Sequence, residues 1–287
     1  MDISAELCFC TKDEPIHKVE IPYLLTYSLE GVTKSNLAFE AVDNIPVLDV
    51  RKHSLTYEDH GIQLEHIDSK MMYDDWQDSQ KIEKVFLREA RDTIRKVVGH
   101  HEVYIFEYRV RRRPKSFPYL AGQVVDPNAP VPVLGAHIDY CESDSVDRIE
   151  VIFKERAPKM LARSYQFLNL WKPLRGPVKD CPLALCDPKS VDFQNDTMLV
   201  QSVNTTSVGE FLSLHYNTSQ RWYYVSEQMP WEALVFHGYD SRTPKAPGVP
   251  HAAFVQDHTV PEDQARESIE IRAVVFLDED ANESLEV

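Results

Sequence analysis

The chain has 287 residues, with 31 lysines and arginines against 46 aspartates and glutamates, a formal charge of −15 at pH 7. That balance excludes a general binder of nucleic acid or of anionic membranes, because the whole-protein field repels phosphate polymers. Hydrophobic content of 43% and charged content of 27% exclude disorder and fibrous structure, and only 9 glycines argue against glycine-rich phosphate loops.

No run of 18 apolar residues is present, so no transmembrane helix is expected. The first ten residues lack a basic region and an apolar region, so no secretory signal is expected. The five cysteines (8, 10, 141, 181 and 186) fall into C-x-C and C-x4-C pairs, and neither has a second pair to complete a zinc site. Reduced thiols in a cytoplasmic protein are the expectation. A single domain spanning 1–287 is predicted, since no Gly/Ser linker divides the chain.

Residues 1–100 read as an N-terminal elaboration of short strands and loops, with 45–49 extended. A long helix is predicted near 76–98. There Ile82, Val85, Phe86, Ala90, Thr93, Ile94, Val97 and Val98 recur at steps of three and four, and Gly99 follows as the stop. The period then changes. Residues 103–110 read as a strand, 114–132 as a proline-rich loop, and 133–140 as a short strand. A helix is predicted over 146–155, with Ser143 or Asp144 as its cap and Pro158 ending it. A second short helix is placed at 159–163. Strands are then expected at 165–171, 197–203, 210–216, 221–225, 233–238, 251–255 and 268–277. Many short strands at close spacing make the fold mainly β with flanking helices, a sandwich or barrel with its core over 103–277.

His137 and Asp139 stand two apart on a predicted strand, so both side chains leave the same face. His251 from a distant strand can complete the set. Two imidazoles and one carboxylate suit Fe(II) and leave three positions open for a cosubstrate and dioxygen. His215 and His237 also sit in predicted strands, but neither has a carboxylate two residues on. Arg266 and Ser268 share a strand face and make a receptor for a carboxylate, since guanidinium binds one bidentately. Arg272 lies on that same face as a rival anchor.

In this order, His-x-Asp, a distal His and Arg-x-Ser resemble the Fe(II)/2-oxoglutarate dioxygenases. The longer pattern is similar to the fungal AsaB-type hydroxylase/desaturase family, which includes gibberellin desaturase-like proteins. The matching segments are Ala136-His-Ile-Asp139, Leu170-Trp-Lys-Pro-Leu-Arg-Gly-Pro177, Pro182-Leu-Ala-Leu-Cys-Asp187, Arg221-Trp-Tyr-Tyr224, Tyr239-Asp-Ser241, Pro250-His251 and Arg266-Glu-Ser-Ile-Glu-Ile-Arg272. Where that family often has glutamine after His-x-Asp, this chain has Tyr140 and Cys141. Where it often has Asn-Pro before Arg-Trp-Tyr-Tyr, this chain has Asn217-Thr-Ser-Gln220.

The resemblance implies a double-stranded β-helix, or jelly roll, over 103–277. It implies catalysis by Fe(II) held on His137, Asp139 and His251, with 2-oxoglutarate and dioxygen as cosubstrates. Arg266, Ser268 and Arg272 are the cosubstrate-binding candidates. A small organic metabolite would be hydroxylated or desaturated, with release of succinate and CO2. Tyr108, Arg111, Tyr140, Arg221, Trp222 and Tyr224 are the substrate-contact candidates. Two other classes stay open: a non-catalytic jelly roll that binds a metabolite, and a mononuclear metal oxidase or isomerase that does not use 2-oxoglutarate.

Overall fold

The structure is a computed structural model and describes residues 1–99, 102–114, 117, 130–257, 259–261 and 264–277. Most of the predicted 114–132 loop lies outside these residues. The strands described are, in chain order, β1 (Ile3–Cys10), β2 (Tyr23–Leu25), β3 (Phe39–Asp49), β4 (Ile62–His66), β5 (Glu102–Arg112), β6 (His137–Ile138), β7 (Tyr165–Pro173), β8 (Leu183–Cys186), β9 (Thr197–Val203), β10 (Val208–Leu214), β11 (Trp222–Tyr224), β12 (Glu232–Asp240), β13 (His251–Ala253) and β14 (Glu267–Phe276). They form two sheets. One has the order β4-β12-β7-β14-β5, and the other β1-β3-β11-β8-β13-β6-β10-β9-β2.

The larger sheet curls until it meets itself. A parallel bridge joins Cys8 of β1 to Gly135 beside β6, and the Ala136 N–H donates to the Cys8 carbonyl at 2.8 Å. Six strands thereby close a small barrel filled by Leu7, Phe9, Val47, Ala184, Trp222 and Ala252. Alternate residues of the same strands point the other way. Leu183, Leu185 and Tyr223 meet Trp171, Leu234 and Phe236 of the five-stranded sheet. The site lies between these two sheets.

The outer face of the five-stranded sheet is covered by the predicted helix. Ile82, Phe86, Ala90 and Ile94 pack on Leu168, Leu170, Ile269 and Ile271. Burying each large side chain contributes roughly 1.5–3 kcal/mol. The helical stretch starts at Ser79–Lys81, where the Asp78 carboxylate accepts from the Gln80 and Lys81 N–H groups. It widens into a π turn at Ile82–Phe86 and continues as α1 (Leu87–Val98). Gly99 ends it with φ 83°, a left-handed conformation that glycine adopts without a Cβ clash.

Most predicted strands in the second half stand within two residues of their expected bounds. The strand expected at 133–140 shrinks to β6, because the chain turns after Ile138 into helix α2 (Glu142–Phe153). That helix is capped at Cys141, which corrects the expected cap at Ser143 or Asp144. The Asp144 carboxylate instead accepts from the Glu210 N–H on β10 at 3.1 Å. Pro158 opens the helix Ala157–Leu161 instead of only ending its predecessor, because a missing N–H is harmless in a first turn. Strands β1, β2 and β4 fall in the stretch expected to hold short strands without set bounds, whereas β8 was not expected. All four residues of β8 are buried, so its pattern does not alternate. Among the described residues, no helix is long and apolar enough to cross a membrane.

Candidate metal centre

Strand register assembles the cluster. β13 pairs antiparallel with β6 so that His251 lies directly opposite His137, and their ring centroids are 4.3 Å apart. Asp139 follows His137 by two residues and leaves on the same side. One ligand atom from each of the three lies within 4.8 Å of the other two. Among the described residues, no other cluster of three such side chains converges.

Each imidazole is oriented by a backbone carbonyl. His137 Nδ1 donates to the Gly135 oxygen at 2.8 Å, and His251 Nδ1 donates to the Val249 oxygen at 3.1 Å. A carbonyl only accepts, so in each ring Nδ1 carries a proton and Nε2 is the nitrogen turned towards the cluster. His137 Nε2 is 3.7 Å from Asp139 Oδ1, and His251 Nε2 is 3.7 Å from Oδ2. Burial and the neighbouring His251 lower the His137 pKa to about 4, which keeps it in the neutral, ligating form. Burial alone would raise the Asp139 carboxyl. Arg272, the two imidazoles and the Asn169 amide outweigh it and hold the group well below the usual carboxylate range. Two free imidazole lone pairs and one carboxylate are a donor set that fits Fe(II).

The facing wall comes from the other sheet. Alternation along β14 turns Arg266, Ser268, Glu270 and Arg272 inward, while Ile269 and Ile271 face the helix. A cavity between the walls is lined by His137, His251, Trp171, Phe236, Arg266, Glu270, Arg111, Val133, Leu183 and Ala253.

The two arginines differ in what they hold. Arg266 is only 3% exposed and lies over the Trp171 ring, 4.9 Å from its centroid. It donates to the Cys181 carbonyl at 2.9 Å and to the Ser268 hydroxyl at 3.3 Å. Among the described residues, no carboxylate forms an ion pair with it. Burial lowers the Arg266 pKa and outweighs the Asp180 carboxylate, which accepts from the Arg266 backbone N–H at 2.8 Å and favours the charge without pairing with the guanidinium. Arg272 is fully engaged. It reaches Asp139 Oδ1 at 2.9 Å, Glu270 at 2.7 Å and Glu107 at 3.4 Å. Burial opposes the charge of Glu270, but Arg272 and Arg111 hold its pKa down at about 2. Of the two rival anchors, Arg272 is the one engaged by protein carboxylates, and Arg266 is the one that lines the cavity.

The substrate-contact candidates separate. Arg111 lines the cavity and pairs with Glu270 at 3.1 Å. Tyr108 faces the opposite way with Val110 and packs towards the long helix. Tyr140 is buried, stacked on Phe167 at 4.8 Å, and belongs to the cluster beneath α2. Trp222 and Tyr224 fill the barrel, and the Tyr224 hydroxyl donates to the Met1 carbonyl at 2.6 Å. Arg221 sits at the surface and pairs with Asp187 at 2.6 Å. Tyr108, Tyr140, Arg221, Trp222 and Tyr224 are thus corrected to packing or surface roles. His215 Nδ1 donates to the Cys10 carbonyl at 2.8 Å, and His237 packs edge-on against Tyr57, so neither joins the cluster.

Two residues at the site were missed. Glu270 lies two residues after Ser268, and the period of two along the strand was enough to find it. Asn169 carries no local signal. It reaches Asp139 only through the packing of β7 against β6.

A family model described as an oxidoreductase/YMDC permease-like domain matches residues 9–276. The chain is 29% identical over 231 residues to the alpha-ketoglutarate-dependent dioxygenase tstK of Talaromyces stipitatus, covering 78% of this chain and 81% of that one. It is 30% identical over 254 residues to the oxidoreductase clz16 of Cochliobolus lunatus, covering 82% and 85%. Among solved structures, the iron and alpha-ketoglutarate-dependent endoperoxidase NvfI superposes with a TM-score of 0.79. That match is 21% identical and covers 96% of this chain and 98% of the other, which establishes the shared jelly-roll fold.

Proposed function

The chain belongs to the fungal Fe(II)/2-oxoglutarate-dependent oxygenases, the group in which its matched relatives fall, and on that premise we propose how its own residues divide the work. It is an oxidoreductase that couples decarboxylation of 2-oxoglutarate to succinate and CO2 with hydroxylation or desaturation of a small organic metabolite. His137, Asp139 and His251 hold the iron. The bound metal supplies the open positions at which the keto acid and dioxygen react. Arg266 holds the far carboxylate of 2-oxoglutarate, and Ser268 adds its hydroxyl.

The observation that carries this reading is the buried Arg266, facing the triad across one cavity without a carboxylate partner among the described residues. A dicarboxylate with one end at the metal supplies the missing counterion. A non-catalytic metabolite binder has no use for two imidazoles converging on a buried carboxylate. A metal oxidase without the keto acid has no use for a buried arginine that faces the metal ligands across the cavity. Leu183, Phe236 and Trp171 keep water from the wall, and the Arg111–Glu270 pair meets the substrate at the polar side. All five cysteines are free, which suits the reducing cytoplasm.

Metal-free protein reconstituted without oxygen with Fe(II) and 2-oxoglutarate, then exposed to oxygen, is expected to form succinate even without added substrate. Asp139→Ala is expected to reduce this to background. Wild-type protein that binds Fe(II) and the keto acid but forms no succinate would contradict the reading.

A further inference from the structure

We propose that Arg272 and Asn169 are positioning residues for the metal ligand Asp139, a task separate from that of Arg266. This inference rests on the metal-binding reading above.

Asp139 needs outside support. It follows a strand of only two residues, where the chain bends towards α2. Its ladder therefore does little to fix the carboxylate. The two histidines are each held by a backbone carbonyl two residues earlier. The carboxylate is held from the opposite sheet instead. Arg272 and Asn169 are direct cross-strand partners on β14 and β7. Arg272 donates to Oδ1 at 2.9 Å, and Asn169 Nδ2 donates to Oδ2 at 2.6 Å. Each oxygen thus receives one donor, which fixes the carboxylate plane.

Two further observations argue that the contact is built for this ligand. Asn169 is fully buried, yet its Oδ1 has no hydrogen-bond partner among the described residues. Flipping the amide would set that oxygen against the carboxylate. The fold tolerates an unpaired buried acceptor, and the visible return is the amide aimed at Asp139. Arg272 is itself aligned by Glu270 at 2.7 Å, and Glu270 is held by Arg111 at 3.1 Å. This chain of ion pairs keeps a cation beside the ligand. Outer contacts of this kind orient ligands and tune metal affinity.

The test is Co(II) binding by calorimetry to the full, metal-stripped chain, with the visible Co(II) spectrum recorded alongside. Asn169→Ala and Arg272→Gln should each weaken Co(II) binding by about 10–100-fold and alter the spectrum, and Arg272→Lys should recover part of the loss. With Co(II) saturating, 2-oxoglutarate affinity should change by less than about threefold in these variants, while Arg266→Ala shows the reverse pattern. If Arg272→Gln retains Co(II) affinity within about twofold but loses keto-acid affinity tenfold, Arg272 is a cosubstrate contact and the proposal fails. If Arg272→Gln does not fold, Asn169→Ala decides alone, and unchanged Co(II) binding and spectrum in that variant overturn the proposal. Wild-type protein that binds no Co(II) overturns the metal-centre reading and this inference together.

Discussion

The strands β8, β13 and β11 have two faces with opposite characters. One face, turned into the closed barrel, carries Ala184, Cys186, Ala252, Trp222 and Tyr224 and is packed with Leu7, Phe9 and Val47. The other, with His251 and its partner His137 on β6, looks across to a wall of Arg266, Glu270, Arg272 and Asn169. Both faces are buried. Among the described residues, the barrel cluster contains no group that titrates below neutral pH, whereas the second region concentrates buried charge. Closing the barrel tightly lets the fold tolerate an incompletely neutralised cavity a few ångströms away. Stability is located on one face of a strand and chemistry on the next residue.

Three perturbations probe that division. The largest effect is expected from Trp222→Ala, which empties the middle of the barrel. Its cost should be about 3–5 kcal/mol in urea unfolding, with metal and 2-oxoglutarate affinities unchanged in the folded fraction. A tenfold loss of either affinity would mean that the two faces are mechanically coupled. Next is Arg266→Ala. It should weaken 2-oxoglutarate binding by about 1.5–3 kcal/mol, read by calorimetry, while the ligand-free fold loses far less than Trp222→Ala removes. A severe loss of stability instead would make Arg266 a structural cation.

The smallest effect concerns acid. Burial lowers the His237 pKa to about 4, and Asp240 opposes this only in part. The unfolded chain therefore binds more protons between the ordinary histidine value near 6.5 and 4, and stability falls as pH falls through that window. The His237 share of the loss should be on the order of 2 kcal/mol, and His237→Gln should remove that share while the similar slope from His137, whose pKa is likewise about 4, remains. Urea midpoints of the metal-free protein at about pH 7 and pH 5 measure it. An identical slope in the variant would place the acid sensitivity elsewhere.

Particular residues mark where sequence reasoning ran out. His137 and Asp139 were legible as a pair, because a two-residue spacing fixes a shared face, whereas His251 was singled out from the other histidines by the family resemblance. The inward face of Arg266, Ser268 and Arg272 followed from the same period. Which arginine lacks an ion pair among the described residues did not, since that depends on Asp139, just after β6, and Glu107, on β5, meeting Arg272 from elsewhere in the chain. Trp222 and Tyr224 show a related limit. Alternation placed them together, but with both faces of β11 buried it could not say which face meets the cavity. Tyr108 and Arg111 were offered together although they lie an odd number of residues apart, and the strand sends them to opposite sides.

The acidic balance and the sparse glycines excluded phosphate polymers and glycine-rich phosphate loops, and a site built from side chains on strands is consistent with that. The sequence alone determined which candidate side chains share a strand face, because that follows from local geometry, and the family resemblance supplied the order of the candidate ligands. Tertiary structure decided the rest: the closure of the barrel through Cys8 and Gly135, the placing of Arg266 with no ion pair among the described residues, and the hold of Asn169 and Arg272 on Asp139. Those depend on contacts between residues 30 to more than 130 positions apart, which no local period encodes.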